Sequence, residues 1–227
     1  MKKAFLLPLL AIFCLAGCKS SLPTIISDPH AVGTVLPTAE KLPFVKYDER
    51  MKGRQHFSAT DNKSRAALKK YMSDGFIRPL QSIKGMKVEE FVYDGGYELS
   101  KITISTDLMF KTMKKELTEE GKALLRSIAG ALQKRALTVV CIGCHCEQST
   151  FQNRGALTQA RAEAAASALA TMGIAQERLM PAVGCSDQNP VADNATSEGR
   201  QANRRIEIYI CPDKPLFEKI LNGETGL

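Results

Sequence analysis

Apolar and polar residues alternate most clearly near the C-terminal end of the chain. After Arg205, apolar side chains fall at every second position, with Glu207 between the first two of them: Ile206, Ile208 and Ile210. A period of two is typical of a strand that buries one face. We therefore predict a half-buried strand here, with Arg204 and Arg205 at its entrance either solvated or reaching an acidic partner.

Apolar residues recur at helical spacing in two longer segments in the middle of the chain. We predict that Thr118 caps the first helix, because its hydroxyl accepts an unpaired first-turn N–H. Thr158 is predicted to cap the second helix in the same way, and Gly173 to end it. A third, short helix over residues 197–202 is predicted to follow a cap at Thr196. The buried stripes of the two long helices comprise Leu117, Gly121, Leu124, Ile128, Leu132, Ala162, Ala165, Leu169 and Met172.

Strand patterns precede each of these helices, so strands and helices alternate along residues 97–211. The predicted strands before the last one cover residues 97–106, 137–145 and 179–185. Alternation of this kind implies parallel strand pairs in an α/β sandwich. We predict an α/β domain with a mixed four-stranded sheet in the order βαβαβ(α)β.

A small leading segment is predicted in front of this domain, over residues 42–96. Its residues 61–73 have an imperfect helical pattern, and residues 87–93 alternate as a strand does. Asp94-Gly95-Gly96 is typical of a hairpin turn, because Asp-Gly pairs tolerate positive φ. The sequence leaves two readings open for residues 42–86, which either dock on a partner or pack on the domain that follows.

The N-terminal residues 1–17 have the pattern of a secretory signal, with a basic start and an apolar run too short to span a bilayer permanently. The run ends in Leu15-Ala16-Gly17-Cys18, which resembles the bacterial lipobox. This resemblance implies lipidation of Cys18 and, because Lys19 is not aspartate, sorting to the outer membrane of a Gram-negative host. The alternative is a plain secretory signal with an incidental cysteine. Residues 18–41 are predicted to be a flexible, proline-containing tether, and residues 212–227 a C-terminal tail.

Composition adds little to this picture. The chain is 44% hydrophobic and 24% charged, with a formal charge of +7. A positive balance favours acidic partners such as anionic lipid or cell-wall carboxylates. No basic stripe interleaved with aromatic residues is present, so we predict no nucleic-acid binding. No Ser-His-acid or Cys-His arrangement with suitable placement is present either, and we predict no enzymatic activity.

The stretch of residues 192–210 closely resembles the end of the OmpA-like domain, a peptidoglycan-binding module. The family pattern there is Asn-x-Thr-x-x-Gly-Arg-x-x-Asn-Arg-Arg-[Val/Ile]-Glu. The matching residues are Asn194, Thr196, Gly199, Arg200, Asn203, Arg204, Arg205, Ile206 and Glu207. Upstream, Leu157-Thr158-Gln159-Ala160-Arg161-Ala162 is similar to the family's Leu-Ser-x-x-Arg-Ala. The resemblance covers residues 97–211 and implies the same α/β fold.

The family's site binds the free end of diaminopimelate in the peptide stems of peptidoglycan. By resemblance, Arg161 is the carboxylate-binding arginine, Arg204 supports it, and Asn153 is the candidate site asparagine. Arg161 is predicted to lie in the first turn of the second helix, beside the end of the preceding strand. An arginine fork next to unpaired helix N–H groups suits a carboxylate.

The acidic half of this site departs from the family pattern. Cys146 occupies the position of the family aspartate, and Lys111 replaces a second one. Glu147 is then the candidate partner for the ligand's ammonium group. We expect wall binding to be retained by a lipid-anchored outer-membrane protein that faces the periplasm. The alternative is a structural subunit of a secretion or conjugation apparatus, in which the domain contacts other subunits.

The cysteines present a third alternative, a haem or redox protein. A Cys-x-x-Cys-His motif typical of c-type haem attachment starts at Cys141. It lies within a predicted strand, where Cys141 and Cys144 point to opposite faces, so we predict no haem, metal or other cofactor. Disulfides are expected in an oxidising compartment, where Cys185 could pair with Cys144 or Cys146. Cys141 and Cys211 are left as buried thiols or a second bridge.

Overall fold

The computed structural model describes residues 42–53, 61–73, 76, 78–93, 97–149 and 153–224. The predicted signal peptide, the lipidation site Cys18, the tether and the Asp94-Gly95-Gly96 turn lie outside these residues. Within the described part of the chain, every helix is too short or too polar to cross a membrane.

The described strands form one mixed sheet of five. They are β1 (Met86–Tyr93), β2 (Tyr97–Ser105), β3 (Thr138–His145), β4 (Val183–Ser186) and β5 (Arg205–Pro212). Their order is β1-β2-β5-β3-β4, and only the β3–β4 pair is parallel. The predicted α/β class with a mixed sheet is confirmed. The sheet has a fifth strand because the first strand of the leading hairpin joins its edge.

Helices flank the sheet along the whole described chain. They are α1 (Val45–Met51), α2 (Asn62–Ser73), α3 (Arg78–Gln81), α4 (Thr106–Met109), α5 (Glu119–Gln133), α6 (Arg154–Thr171), α7 (Ser197–Asn203) and α8 (Lys214–Leu221). Two of the predicted caps are confirmed. Gly121 N–H donates to Thr118 Oγ1 over 2.8 Å at the start of α5, and Gly199 N–H donates to Thr196 Oγ1 over 3.0 Å at the start of α7.

The predicted cap at Thr158 is wrong, because α6 begins earlier, at Arg154. Thr158 is buried inside the helix, where its hydroxyl donates to the carbonyl of Gly155 over 2.9 Å. The same oxygen accepts the backbone N–H of Ser186 over 3.3 Å. The hydroxyl therefore ties α6 to β4 instead of starting the helix.

Two boundaries also differ from the prediction. The strand predicted over residues 179–185 is β4, which begins only at Val183. Pro181 has no backbone N–H to offer a sheet ladder, so residues before it form only an isolated bridge between Leu179 and Val140. The predicted C-terminal tail contains α8, because an apolar face there is buried: Leu216, Phe217 and Ile220.

One face of the sheet packs against α6 and its neighbour α5. Ile206 and Ile208 of β5 lie on this face, opposite Cys144 and Ile142 of β3. Leu125, Ile128 and Leu132 of α5 and Ala162, Ala165 and Leu169 of α6 are buried in the same core. Each fully buried aliphatic side chain of this size stabilises the fold by about 1.5–3 kcal/mol, so this apolar layer is the main source of stability.

The opposite face of the sheet is covered by the leading segment. The ring of Phe44 packs edge-on against that of Tyr209 in β5, with centroids 4.6 Å apart. Tyr47 in α1 is fully buried and donates a 2.9 Å hydrogen bond to the carbonyl of Pro212. Arg50 Nε donates to Asp213 Oδ1 over 2.7 Å. These contacts decide the open question for residues 42–51, which pack on the domain itself.

The helix α2 also packs on the domain that follows. The backbone N–H of Leu137 donates to the Tyr71 hydroxyl over 3.1 Å, and Arg135 Nε donates to the Tyr71 carbonyl over 2.9 Å. Leu68 and Met72 on the same helix are buried. The helices α1 and α2 of the leading segment therefore contribute side chains to the hydrophobic core.

Because both faces are covered, β5 is buried along its whole length, and the predicted half-buried strand is wrong in this respect. Its polar side chains pair with one another instead of facing water. Arg205 Nε donates to Glu207 Oε1 over 2.8 Å, and the Tyr209 hydroxyl donates to Glu207 Oε2 over 2.6 Å. His145 Nε2 lies 3.2 Å from the same carboxylate. Buried charges persist when they are paired in this way.

This network controls the ionisation of Glu207. Burial by itself would raise the pKa of Glu207, but the contacts with His145, Arg205 and Tyr209 outweigh it and hold the pKa well below the usual range. The carboxylate therefore stays ionised in the folded protein at pH values where it would be protonated in the unfolded chain.

The packing of α1 leads to a stability prediction. We expect Tyr47→Ala to lower the free energy of unfolding by about 3–5 kcal/mol, because it empties a buried aromatic site and removes the bond to Pro212. The matched control on the same helix is Val45→Ala, since Val45 is 47% exposed. Urea unfolding followed by circular dichroism measures both variants. Equal, small effects would mean that α1 is not part of the core.

The depressed pKa of Glu207 leads to a prediction for pH dependence. An unfolded glutamate titrates at about 4.3, so the stability from this carboxylate is present above that pH and is lost as the pH falls toward the lower folded pKa. We expect Glu207→Gln to be less stable than wild type at neutral pH, and the gap to shrink as the solution is acidified. Thermal unfolding across an acid pH series tests this, and a gap that does not change with pH contradicts it.

Candidate functional site

The predicted site residues come from segments that meet at one end of the sheet. Arg204 immediately precedes β5, Glu147 follows β3, and Arg161 is on α6. The short helix α4 also reaches this end, because the backbone N–H of Thr106 donates to the carbonyl of Arg204 over 3.0 Å. This helix carries Asp107, a residue that the sequence reasoning did not include in the site.

Arg161 is buried, with 9% of its surface exposed. Its guanidinium carbon lies 5.2 Å from the centroid of the Phe110 ring, and its Nε donates to the carbonyl of Lys114 over 2.8 Å. Among the described residues, no hydrogen bond reaches its two terminal nitrogens. The residue lies about two turns into α6, so the prediction that it shares the first turn with the unpaired helix N–H groups is wrong.

The surroundings of Arg161 act on the pKa of its guanidinium in two opposite directions. Burial lowers the pKa of the Arg161 guanidinium, whereas the neighbouring Cys144 and Asp107 act in the opposite direction. No salt bridge joins Arg161 to a carboxylate within the described chain. A guanidinium that is largely removed from water and lacks a carboxylate partner is ready to bind one.

Arg204 is paired in a different way from Arg161. Its Nη2 donates to Asp107 Oδ2 over 2.8 Å, with Nε 3.1 Å from both oxygens of the same carboxylate. Its Nη1 donates to Glu147 Oε2 over 2.9 Å. The hydrogen bond with Asp107, more than the opposing effect of burial, raises the pKa of Arg204. The arginine predicted to support ligand binding is therefore held by two carboxylates of the chain itself.

Glu147 lies at this end of the sheet as the sequence reasoning expected, but it is already shared. Besides Arg204, the Nε of Arg200 lies 3.6 Å from the same Glu147 oxygen. Within the part of the chain that the structure describes, Arg204 is the arginine partner of Asp107, and 45% of the Asp107 side chain is exposed. Asp107 and Arg204 lie 97 positions apart in the sequence. The signal that could have identified Asp107 is its position directly after a strand that ends at this edge.

Asn153 occupies the position just before α6. Its carbonyl accepts the backbone N–H of Leu157 over 3.0 Å, but its side chain does not cap the helix. The side chain is exposed, and no described residue bonds to it. The structure therefore gives this candidate no contact with Arg161 or Glu147.

The structure contains neither of the two bridges considered for Cys185, because Cys144, Cys146 and Cys185 are free thiols in it. Cys144 pairs with Gly184 and faces α6, whereas the Cys185 sulfur lies on the other side of the sheet, over Gly143. Two residues on opposite faces of a sheet cannot bridge. Burial raises the pKa of Cys144 to about 12 and that of Cys185 to about 12, so both are protonated at neutral pH.

The three other cysteines of the described residues are also free thiols: Cys141, Cys146 and Cys211. Cys146 is half-buried just beyond β3, and its backbone N–H donates to the backbone carbonyl of Ser186. Cys141 and Cys211 are fully buried thiols on the face that the leading segment covers. Cys141 and Cys144 both lie in β3, three positions apart, and therefore project to opposite faces. A single haem edge cannot reach both of them.

A groove of about 630 Å³ borders the site between α6 and the loop after Phe110. It reaches α6 next to Arg161, through Ala160 and Ala164. Its charged lining has both signs and comprises Lys111, Lys115, Lys122, Glu116 and Glu163. A ligand with both ammonium and carboxylate groups would find partners of each sign along this groove.

The depth of Arg161 is set by the close contact between α6 and β4. Gln159 Oε1 accepts the backbone N–H of Gly184 over 2.7 Å, and Gln159 Nε2 donates to the carbonyl of Ala182 over 3.0 Å. A Cβ atom at Gly184 would overlap with the backbone nitrogen of Gln159. The glycine is therefore required for α6 to approach the sheet this closely.

Comparison with known proteins agrees with this architecture. A sequence model described as the OmpA family matches residues 109–204. Glu147 and Arg161 fall inside the matched residues, Arg204 is the last of them, and Asp107 lies just before the first. The candidate site therefore consists mostly of residues within the family match, with one residue outside it.

Two curated relatives match about half of the chain. Outer membrane protein A of Bordetella avium is 33% identical over 114 residues, which are 49% of this chain and 57% of that protein. Probable lipoprotein YiaD of Escherichia coli is 31% identical over 112 residues, which are 49% of this chain and 51% of that protein. The chain thus spans about half the length of the curated relatives it matches.

A solved structure shows the same fold. A protein described as MotB-like, from Desulfovibrio vulgaris, superposes with a TM-score of 0.53 at 17% identity. The superposition covers 66% of this chain and 91% of that chain. At this level of identity the likeness concerns the fold alone.

The contact at Gly184 leads to a prediction. We expect Gly184→Ala to lower the free energy of unfolding by about 1–3 kcal/mol, because the methyl group pushes α6 away from β4. Gly130→Ala is the matched control: no atom lies within 4 Å of its added Cβ, and the change should be neutral or stabilising. Chemical denaturation measures both variants, and a neutral Gly184→Ala contradicts the close contact.

Proposed function

Because residues 109–204 form a domain of the OmpA family, we propose that this protein binds peptidoglycan non-covalently and anchors the cell envelope, or a machine within it, to the wall. The observation that carries the proposal is Arg161, buried at the sheet edge with two terminal nitrogens that no described residue bonds. The proposed ligand is the free end of a diaminopimelate residue in a peptide stem. The role is one of binding, without catalysis.

The carboxylate of such a stem fits the chemistry of Arg161. A planar guanidinium binds two carboxylate oxygens in parallel, and charge-assisted bonds of this kind are about twice as strong as neutral ones. Phe110 and the Lys114 carbonyl hold the guanidinium in a fixed orientation, so little side-chain entropy is lost on binding. The ligand would also supply the opposite charge that this buried cation lacks.

Two acidic groups at the same end of the sheet would form the second half of the proposed site. Asp107 and Glu147 both pair with Arg204 there, and Asp107 acts on the pKa of Arg161 as a nearby negative charge does. A ligand's ammonium group would be attracted to this acidic edge while its carboxylate meets Arg161. Recognition of both charges favours a zwitterionic end over a simple acid.

The proposed location is the periplasmic side of the outer membrane. A lipid on Cys18 would provide the anchor, and residues 18–41 would span the distance between the membrane and the domain. The relative from Escherichia coli is itself described as a probable lipoprotein, which supports this arrangement.

The alternative is a role as a subunit of a secretion or conjugation apparatus. It would be favoured if residues 42–86 presented a docking surface and if the substituted family aspartates left the site without acidic groups. Phe44, Tyr47 and Tyr71 of that segment use their side chains within the core, so those side chains do not present a surface to a partner. In this proposal, Asp107 and Glu147, which both pair with Arg204, take the role of the substituted acids.

Sedimentation with purified sacculi tests the proposal. We expect the wild-type protein to sediment with sacculi and Arg161→Ala to bind roughly ten- to a hundredfold more weakly, because one charged bidentate contact is lost. Arg161→Lys should be only partly active, since an ammonium group keeps the charge but lacks the fork. Arg126→Ala, at an exposed arginine on α5, is the matched control and should bind as wild type does.

Thermal unfolding of each variant separates lost binding from lost folding. Absence of wild-type protein from the sacculus pellet contradicts wall binding. Normal sedimentation of a folded Arg161→Ala protein contradicts the assignment of Arg161 as the carboxylate site.

A further inference from the structure

We infer that Asp107 is the residue that binds the ligand's ammonium group, and that it makes the site selective for a carboxylate with a neighbouring ammonium over a plain carboxylate. This inference rests on the proposed function, because it concerns the same site. It concerns a residue just outside the family match, so the family pattern does not assign it.

The residues at the positions of the family's acids cannot supply the negative charge. Burial raises the pKa of the Cys146 thiol, so Cys146 is neutral at neutral pH. Lys111 is a cation, exposed at the rim of the groove. An ammonium group entering beside Arg161 therefore has to find its counter-charge elsewhere.

Glu147 is the weaker of the two remaining candidates. One of its oxygens accepts from Arg204 over 2.9 Å and lies 3.6 Å from Arg200, so two guanidinium groups already surround it. Only 27% of its side chain is exposed. A third cation would enter a region where positive charge already predominates.

Asp107 offers a better position for an ammonium group. Among the described residues, Arg204 is the guanidinium that binds its carboxylate, and 45% of the Asp107 side chain is exposed. A carboxylate has about four lone-pair sites, and the Arg204 fork, although it contacts both oxygens, does not fill all of them. Asp107 also acts on the pKa of Arg161 in the direction expected of a nearby negative charge, after the larger effects of burial and of Cys144.

The position of Asp107 is rigid, which is required for selectivity. Its backbone N–H donates to Ser105 Oγ over 3.2 Å at the start of α4, and the carbonyl of Arg204 accepts the N–H of Thr106 over 3.0 Å. The backbone around the carboxylate is thus hydrogen-bonded to Arg204, the residue that precedes β5. A fixed acid beside a fixed arginine can recognise two charges at a defined separation.

The test compares two ligands that differ only in their amino groups. The full chain is titrated with meso-diaminopimelate and with pimelate, which has the same carbon chain and both carboxylates but no ammonium group. Isothermal titration calorimetry measures both affinities. We expect the wild type to prefer diaminopimelate by about tenfold or more, the equivalent of one charge-assisted hydrogen bond.

The variants then assign the preference to a residue. Asp107→Asn should bring the ratio of the affinities for diaminopimelate and pimelate close to one. The affinity for pimelate should stay equal or rise, because a negative charge near Arg161 has been removed. Asp107→Glu should retain part of the preference, and Glu147→Gln should retain it in full. If Asp107 had a merely structural role, its substitution would instead weaken the binding of both ligands. Arg161→Ala should weaken the binding of both ligands.

The outcomes separate this inference from the proposed function. Binding of sacculi and diaminopimelate by the wild type, with the preference unchanged in Asp107→Asn or lost only in Glu147→Gln, overturns the inference alone. A wild-type protein that binds neither sacculi nor diaminopimelate overturns the proposed function and this inference with it. If Asp107→Asn does not fold, Asp107→Glu and Glu147→Gln still decide between the two acids.

Discussion

The structure depends on the burial of its central strand, β5, on both faces. One face meets the apolar layer of α5 and α6, and the other is covered by the leading segment around Phe44 and Tyr47. No side chain of this strand can be solvated freely, so Arg205, Glu207 and Tyr209 have to satisfy one another. Removal of one partner would leave a buried charge unpaired, which is far more costly than losing a surface contact.

The same constraint explains why the charges of the candidate site gather where β5 begins. Arg204 is the last residue before the buried strand, and from there its side chain reaches the partly exposed Asp107 and Glu147. Inside the sheet, acidic and basic side chains pair with one another, whereas those at its edge remain partly exposed. Arg161 is the exception, since it is buried at this edge and its partners among the described residues are a backbone carbonyl and an aromatic ring. That exception is the reason to place a ligand's carboxylate there.

Local patterns in the sequence were sufficient for features that depend on neighbouring residues. The hydroxyls of Thr118 and Thr196 cap their helices as predicted, because a cap needs only an N–H three residues away. Thr158 has the same local pattern, but its hydroxyl is claimed by β4, which lies elsewhere in the sequence. The contact between Asp107 and Arg204 and the separation of Cys144 from Cys185 are likewise tertiary. No periodicity encodes these contacts, so the sequence could indicate that Asp107 follows a strand and that Glu147 is near the site, but not that both carboxylates pair with Arg204.

A crystal structure of the protein with meso-diaminopimelate tests the central claim most directly, because it locates the ligand's carboxylate. The account predicts one carboxylate with its two oxygens about 3 Å from the terminal nitrogens of Arg161, in a bidentate arrangement. A ligand bound elsewhere on the domain would contradict it. So would a structure in which one of the protein's own carboxylates occupies the Arg161 fork and excludes the ligand.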